Sequence, residues 1–322
     1  MTHSTEQLKA VDLFAGCGGL SLGFQNAGIE VLAAFEKWQP AIRCYEKNFN
    51  HPVYSDDISD VVSVCEKIKA FAPDIIIGGP PCQDFSSAGK RVEASRAGLT
   101  ESYAEIIKTI RPKYFVMENV PTAVGSNAYA YALDTFMRSG YGLTLAVLDA
   151  SRCGVPQKRK RLFCIGIQGE SNAPPKLLDI LNVEKTSRED IVYRSKKNAP
   201  EMTLRDYFGD SLGFEYYYRH PRSYKRRGIF SIDEPSATIR GVNRPIPKGY
   251  PGNPADACEK NDSIRALTTQ ERAMIQTFPR EYDFLVRENS KTDIEQMIGN
   301  AVPVKLAEYV ANSLLAYIKS KT

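Results

Sequence analysis

Paired cysteines, histidines and long apolar runs are all scarce in this chain of 322 residues. Its seven cysteines stand singly, without a CxxC spacing, beside only three histidines. That combination excludes a disulfide framework, argues against a Cys/His zinc site and points to a reducing compartment. No apolar stretch approaches the ~20 residues that span a bilayer. The start Met1-Thr2-His3-Ser4 lacks the features of a secretory signal, so a cytoplasmic protein without a membrane segment is expected. No internal repeat, low-complexity tract or heptad pattern argues for assembly, and a monomer is expected. Charge is not strongly of one sign either: 42 Lys and Arg against 38 Asp and Glu leave +4, which permits nucleic-acid binding without requiring it. The length suffices for one large domain and a smaller one.

The rest of the chain is organised around Gly78-Gly79-Pro80-Pro81-Cys82-Gln83. Asp74-Ile75-Ile76-Ile77 before it reads as a β-branched strand buried on both faces, as in a parallel sheet. The glycines end the strand and the two prolines stiffen its exit, so Cys82 stands at the carboxyl edge where open α/β sheets place their sites. The polar stretch that follows, with Ser86, Ser87, Gly89 and Gly98, reads as a loop. A cysteine in a rigid corner beside such a loop suggests a nucleophile; a buried free thiol is the alternative.

Upstream, Lys9–Phe14 reads as a first strand running into Ala15-Gly16-Cys17-Gly18-Gly19-Leu20 and then a helix with Leu20, Phe24 and Ala27 on one face. Strand, glycine turn and helix make a nucleotide-type cradle, although Ser21 stands where the dinucleotide fingerprint has its third glycine. A second strand, Val31–Phe35, ends in Glu36, placed to accept ribose hydroxyls; Asp57-Ile58, after a short strand at Val53-Tyr54, is placed to reach an adenine amino group. Tyr103, Ile106, Ile107 and Ile110 mark a helix stopped by Pro112, and the strand Tyr114–Met117 delivers Glu118-Asn119 beside the Cys82 strand.

Leu143–Leu148 and Arg161–Ile167 are further strands, too close in sequence for a helical crossover and therefore antiparallel. Their connector carries Gln157, Arg159 and Arg161. From Glu170 to about Arg265 the chain turns polar and rich in Pro and Gly, with aromatic and basic residues interleaved from Tyr216 to Gly228, as on a surface that meets phosphates and stacked bases. Ser236–Arg244 offers Arg and Asn for base edges. Thr268-Thr269-Gln270-Glu271 is a capping box, and a last helix with Leu306, Val310, Leu314 and Ile318 is expected to pack back on the first domain. The expected divisions are 1–168, 169–290 and a returning segment, 291–322.

In this order the stretches resemble the DNA (cytosine-5) methyltransferases of bacterial restriction-modification type, over nearly the whole chain. Asp12–Gly19 is similar to their S-adenosylmethionine motif, Gly78–Gln83 to the catalytic motif, Glu118-Asn119-Val120 to the second, and Gln157-x-Arg159-x-Arg161 to the third. Arg265–Thr268 with Gln276–Pro279 resembles the segment that shapes the recognition domain, and Gln296–Pro303 the motif that returns to the cofactor pocket. The resemblance implies an α/β, Rossmann-like methyltransferase fold: a mostly parallel sheet with one antiparallel strand, plus a smaller irregular target-recognition domain. It implies S-adenosylmethionine as methyl donor, S-adenosylhomocysteine as product, no metal, and double-stranded DNA as partner, with a cognate restriction endonuclease as a further one.

The same resemblance assigns roles. Cys82 would attack cytosine C6; Glu118 would contact N3 and the exocyclic amine; Asn119 would hold Glu118 and the proline corner; Arg159 and Arg161 would contact the base oxygen and the Cys82 region. Phe14, Ala15, Gly16, Gly18, Gly19 and Leu20 would cradle the cofactor, joined by Glu36, Trp38, Asp57 and Ile58 around its adenosine, by Pro80 and Leu99, and by Asn300 and Val302. Many relatives have an aromatic directly after the Glu36 position; here Lys37 stands there and Trp38 follows, so either covers the adenine. Ser86, Arg96, Gln157, Arg226, Thr238, Arg240, Asn243 and Arg244 would meet DNA, and the loop 83–99 would close over a flipped base. A tRNA cytosine-5 methyltransferase, a catalytically dead DNA-binding regulator and an unrelated Rossmann oxidoreductase are the competing readings.

Overall fold

The structure, a computed structural model, describes residues 7–81, 90–284 and 287–321, with residues 90–97 described in backbone only. Cys82 and Ser86, and the side chain of Arg96, therefore lie outside the described residues. The chain alternates strand and helix from the start: β1 (Lys9–Leu13), α1 (Gly19–Asn26), β2 (Glu30–Phe35), α2 (Gln39–Asn48), β3 (Val53–Tyr54), α3 (Val61–Phe71), β4 (Ile75–Gly78), α4 (Lys90–Ile110), β5 (Tyr114–Asn119), α5 (Asn127–Arg138) and β6 (Tyr141–Asp149). β7 (Gln157–Lys158) and β8 (Lys160–Gln168) follow, then α6 (Pro175–Ile180), β9 (Val183–Lys185), β10 (Val192–Ser195) and α7 (Leu204–Phe208). β11 (Tyr216–Tyr218), β12 (Ile229–Ser231) and β13 (Ser236–Ala237) precede α8 (Thr269–Ile275), α9 (Lys291–Asn300) and α10 (Val304–Lys319).

Nine strands form the main sheet in the order β3-β2-β1-β4-β5-β8-β6-β10-β9. The neighbours from β3 to β5 pair parallel, and β8 runs antiparallel between β5 and β6 as expected from the short connector. Two features correct the sequence expectation. β9 also runs against its neighbour, so two strands rather than one are antiparallel. β9 and β10 lie past residue 168, so the first sheet takes in chain that composition had placed in the recognition region.

Alternation along each strand divides the core. Ile75 and Ile77 of β4 pack on one face with Leu20 and Phe24 of α1 and Leu306, Val310 and Leu314 of α10. Ile76 faces the other way, onto Val64 and Ile68 of α3 and Tyr103 and Ile107 of α4. Both faces of a parallel strand must be covered, which is why the β4 sequence is apolar at every position. α10 thus returns to the first domain, lying against α1. A third cluster joins Ala15, Cys17, Cys44 and Tyr45 to Leu204, Tyr217, Ile239, Phe278 and Met297, so the irregular region shares a core with the sheet's carboxyl edge. The capping box is present in both directions between Thr268 and Glu271. Part of the stretch expected as a loop, from Lys90 onward, is the first turns of α4.

Candidate active site

Parallel strands deliver their carboxyl ends to one edge, and a cavity of about 890 Å³ lies there. Phe14, Ala15, Gly16, Cys17, Gly19 and Leu20 line it from the β1–α1 turn, and Glu36, Lys37 and Trp38 from the end of β2. Asp56, Asp57 and Ile58, then Gly79, Pro80, Pro81 and Leu99, and finally Glu118, Asn119, Val120 and Arg161 complete the sheet side. The opposite wall is the end of α9: Gln296, Met297, Gly299, Asn300, Ala301 and Val302.

Glu36 organises the glycine turn. Its Oε2 accepts the Gly16 N–H at 2.7 Å, and its Oε1 accepts those of Lys37 and Trp38 at 2.8 Å each. A carboxylate oxygen accepts two bonds, so Oε2 retains room for one more donor from a ligand. Gly16, at φ 56°, takes a backbone conformation that a side chain would strain. Gly18 differs from expectation. It does not line the cavity, and a Cβ there would meet the Phe49 ring at 2.3 Å, so it serves helix packing. Lys37 forms an ion pair with Asp57, whose carboxyl is held down at about 2 by that lysine and by Ser59. Lys37 and Trp38 both border the same end of the cavity.

At the other end, Arg161 Nε meets Glu118 Oε1 at 2.8 Å, both side chains about seven-eighths covered at 15% and 13% exposure. Burial is the largest influence on Glu118 and raises its pKa, against the opposing pull of Arg161 and Arg159. Its neutral form is thereby favoured beyond that of an ordinary glutamate. Asn119 donates to Pro80 O at 3.1 Å and accepts the Val120 N–H at 2.8 Å, tying β5 to the proline corner that leads to residue 82.

Arg159 does not reach the cavity. It is 1% exposed and donates to the carbonyls of Ile239 (2.9 Å), Gly299 (2.9 Å) and Ala301 (3.0 Å). Gln157, expected at DNA, is also fully buried, bonding Gln276 and the Ile239 N–H. Asn243 points inward as well, its amide donating to Leu267 O at 2.8 Å and to Glu295 at 3.3 Å. Buried polar groups need such partners, and these partners take the groups that a base would require. Thr238 Oγ1 donates to Lys158 O at 2.6 Å, and Arg240 Nη2 to His220 O at 2.5 Å. Arg226 and Arg244 are exposed. Arg222, part of the interleaved Tyr216–Gly228 stretch but not singled out within it, is exposed too; after burial, it and Arg244 are what push the Arg240 guanidinium down. Three arginines therefore gather on one surface.

Cys17 is the described cysteine that lines the cavity, and burial pushes its thiol up to about 12. Cys44, Cys65, Cys153, Cys164 and Cys258 are likewise raised by burial, so none of the six described cysteines is readied as a thiolate. Among the described residues no group of His, Cys, Asp and Glu is arranged to hold a metal, and no helix is long and apolar enough to cross a membrane. Sequence reasoning missed Gln296, Met297, Gly299 and Ala301 of the far wall, although they sit inside the stretch it singled out.

The family model for C-5 cytosine-specific DNA methylases matches residues 8–316. The chain is 53% identical over 314 residues to a type II methyltransferase of Haemophilus influenzae, M.HindV, covering 97% of this chain and 98% of that one. It is 50% identical over 312 residues to M.HgiDI of Herpetosiphon aurantiacus, with 97% and 95% covered. Among solved structures, the fold is shared with the Dnmt2 methyltransferase of S. pombe (TM-score 0.68, 16% identity, 97% and 99% covered). It is shared too with an E. coli prophage-encoded putative DNA modification methyltransferase (TM-score 0.66, 22% identity, 97% and 100% covered).

Proposed function

The chain belongs to the C-5 cytosine-specific DNA methylase family, and from that premise we propose that it methylates C5 of one cytosine within a short duplex sequence, through a covalent adduct to Cys82. The observation that carries this reading is the Glu118–Arg161 pair, 2.8 Å apart on the wall of the cavity that the glycine turn and Glu36 also line.

The chemistry follows from the substrate. Cytosine C5 is a weak nucleophile, and the ring is activated when the Cys82 thiolate forms a bond to C6 and electron density moves toward C5 and N3. Cys82 follows directly on Pro81, which lines the cavity. Glu118, whose pKa burial raises, shares a proton with N3 as charge develops there and offsets that charge. Arg161 fixes the orientation of that carboxyl, and Asn119 fixes the proline corner. Bound S-adenosylmethionine supplies the methyl group. The C5 proton then passes to solvent, its electron pair re-forms the C5–C6 double bond as the C6–S bond breaks and Cys82 leaves as thiolate, and N3 returns its proton to Glu118.

The residues present fit that cofactor: the turn at Gly16, the spare acceptor on Glu36, the aromatic side chains of Phe14 and Trp38, and apolar contacts at Ile58, Leu99 and Val302. The target atom is hidden in a stacked duplex, so the base turns out into the cavity. Arg222, Arg226 and Arg244 meet phosphates while Arg240 reads a base edge. The protein acts as a monomer in a bacterial cytoplasm, bound to chromosomal DNA. A restriction endonuclease cutting the same unmodified sequence is its functional companion.

Bisulfite sequencing of duplex DNA incubated with the protein and S-adenosylmethionine tests this reading. The expected result is methylated cytosine confined to one short sequence, and no methylation by Cys82→Ser although that variant still binds DNA. Unmodified duplex, or turnover by Cys82→Ser, would overturn it; modified tRNA beside unmodified duplex would move the substrate to RNA.

A further inference from the structure

Between the base-reading segment and the cofactor wall lies a seam held by three buried side chains. Arg159 spans it with donors to Ile239 O on one side and to Gly299 O and Ala301 O on the other, at 2.9–3.0 Å. Gln157 accepts the Ile239 N–H at 2.9 Å and donates to Gln276 Oε1 at 2.8 Å. Gln276 donates onward to Ile298 O and to Ala301 O. Carbonyls gathered around one point repel unless donors fill the space between them, and the planar guanidinium offers several donors in a fixed fork.

At Gly241 and Gly299 the two sides of the seam meet backbone to backbone. A Cβ on Gly299 would lie 2.1 Å from Gly241 N, and one on Gly241 would lie 3.3 Å from Gln296 Cα. Arg240 and Gly241 thus rest directly on the end of α9. The next residues, Asn300 to Val302, line the cavity, and a Cβ on Gly19 would lie 2.3 Å from Val302 O. A continuous run of close contacts leads from Arg240 to the glycine turn.

We infer that Arg159 is a positioning residue that couples the recognition segment to the cofactor pocket: residues 239–241 and 298–302 move as one body. Displacing the recognition segment then changes cofactor affinity even with no DNA present. The inference rests on the proposed function for what the two ends bind. By linkage, S-adenosylhomocysteine changes duplex affinity by the same factor that duplex changes affinity for S-adenosylhomocysteine. A brace with a merely structural role would lower stability and leave affinity alone.

Trp38 is the single tryptophan of the chain and lines the cavity, so its emission reports S-adenosylhomocysteine binding without turnover. The test uses the full chain with Arg159→Lys and, separately, Gly241→Ala, with thermal midpoints measured alongside. The lysine keeps the charge but loses the fork. The alanine removes no hydrogen bond and pushes Gln296 by a few tenths of an ångström. Both are expected to raise the dissociation constant for S-adenosylhomocysteine by about three- to thirtyfold, and KM for S-adenosylmethionine more than kcat. Folded variants with wild-type affinity would overturn the coupling; should Arg159→Lys not fold, Gly241→Ala decides alone. A wild-type chain that binds no S-adenosylhomocysteine, by Trp38 emission and by calorimetry, would instead remove the proposed function beneath it.

Discussion

Asp12 is completely buried at the end of β1, where burial raises its carboxyl to about 7 and nearby Glu36 adds to the shift. Ser21 donates to its Oδ2 at 2.6 Å, Tyr45 donates to Ser21 at 2.6 Å, and Tyr45 meets His51 Nε2 at 2.7 Å. Its Oδ1 has no hydrogen-bond partner among the described residues. A raised carboxyl favours the fold fully below its unfolded pKa of about 4, and that contribution is lost as pH climbs to the folded value near 7. Asp12→Asn keeps an acceptor for Ser21 and cannot ionise. Unfolding free energies from urea titrations between pH 4 and pH 8 should therefore fall in the wild type relative to the variant, by up to roughly 4 kcal/mol. Parallel curves would show that Asp12 does not titrate in that window.

Arg159 shows at the same scale why some roles were not legible. Gln157, Arg159 and Arg161 have the spacing of one strand face, which predicts a shared direction. In the fold β7 ends at Lys158 and pairs with β13, while β8 begins at Lys160 and pairs with β5 and β6. Arg159 sits at the break, so Arg161 reaches the cavity while Arg159 reaches the seam. Alternation reports direction only while the strand is continuous, and nothing local marks the break.

Elements were legible where burial is two-sided or periodic, as in the all-apolar β4 and the Leu306, Val310, Leu314 stripe of α10. β9 and β10 were not: strands of three and four residues, Val-Glu-Lys and Val-Tyr-Arg-Ser, carry too little alternation to separate from loop. The start of α4 was hidden in the same way, since its first residues are polar. Packing partners were the least legible property. α10 meets α1 at Gly23, where a Cβ would stand 2.4 Å from Ala307 Cβ and 2.6 Å from Val304 O. Gly23→Val should force the helices apart and cost about 2–3 kcal/mol in denaturant unfolding. Because Gly19 and Leu20 of the same helix line the cavity, affinity for S-adenosylhomocysteine should fall as well; an unchanged midpoint would mean the helices do not meet there.

At the scale of the molecule, the division at 168 suggested by composition is crossed twice, by β9 and β10 joining the sheet and by the cluster shared between Cys17, Tyr45, Tyr217 and Phe278. Shared cores unfold together. Far-ultraviolet circular dichroism and Trp38 emission should report one coincident thermal transition, displaced upward as a whole by S-adenosylhomocysteine. Two separate transitions would make the recognition region an independent folding unit.

The sheet closes on itself at neither side, and its two rims are unlike. β3 is two residues long, and β9 is three, with Glu184 and Lys185 exposed. An open rim of unpaired N–H and C=O groups is a template on which another chain can add a strand. Brevity withholds that template on one side and charge on the other. Neither rim therefore offers a second copy of the chain a long, uncharged edge on which to add a strand.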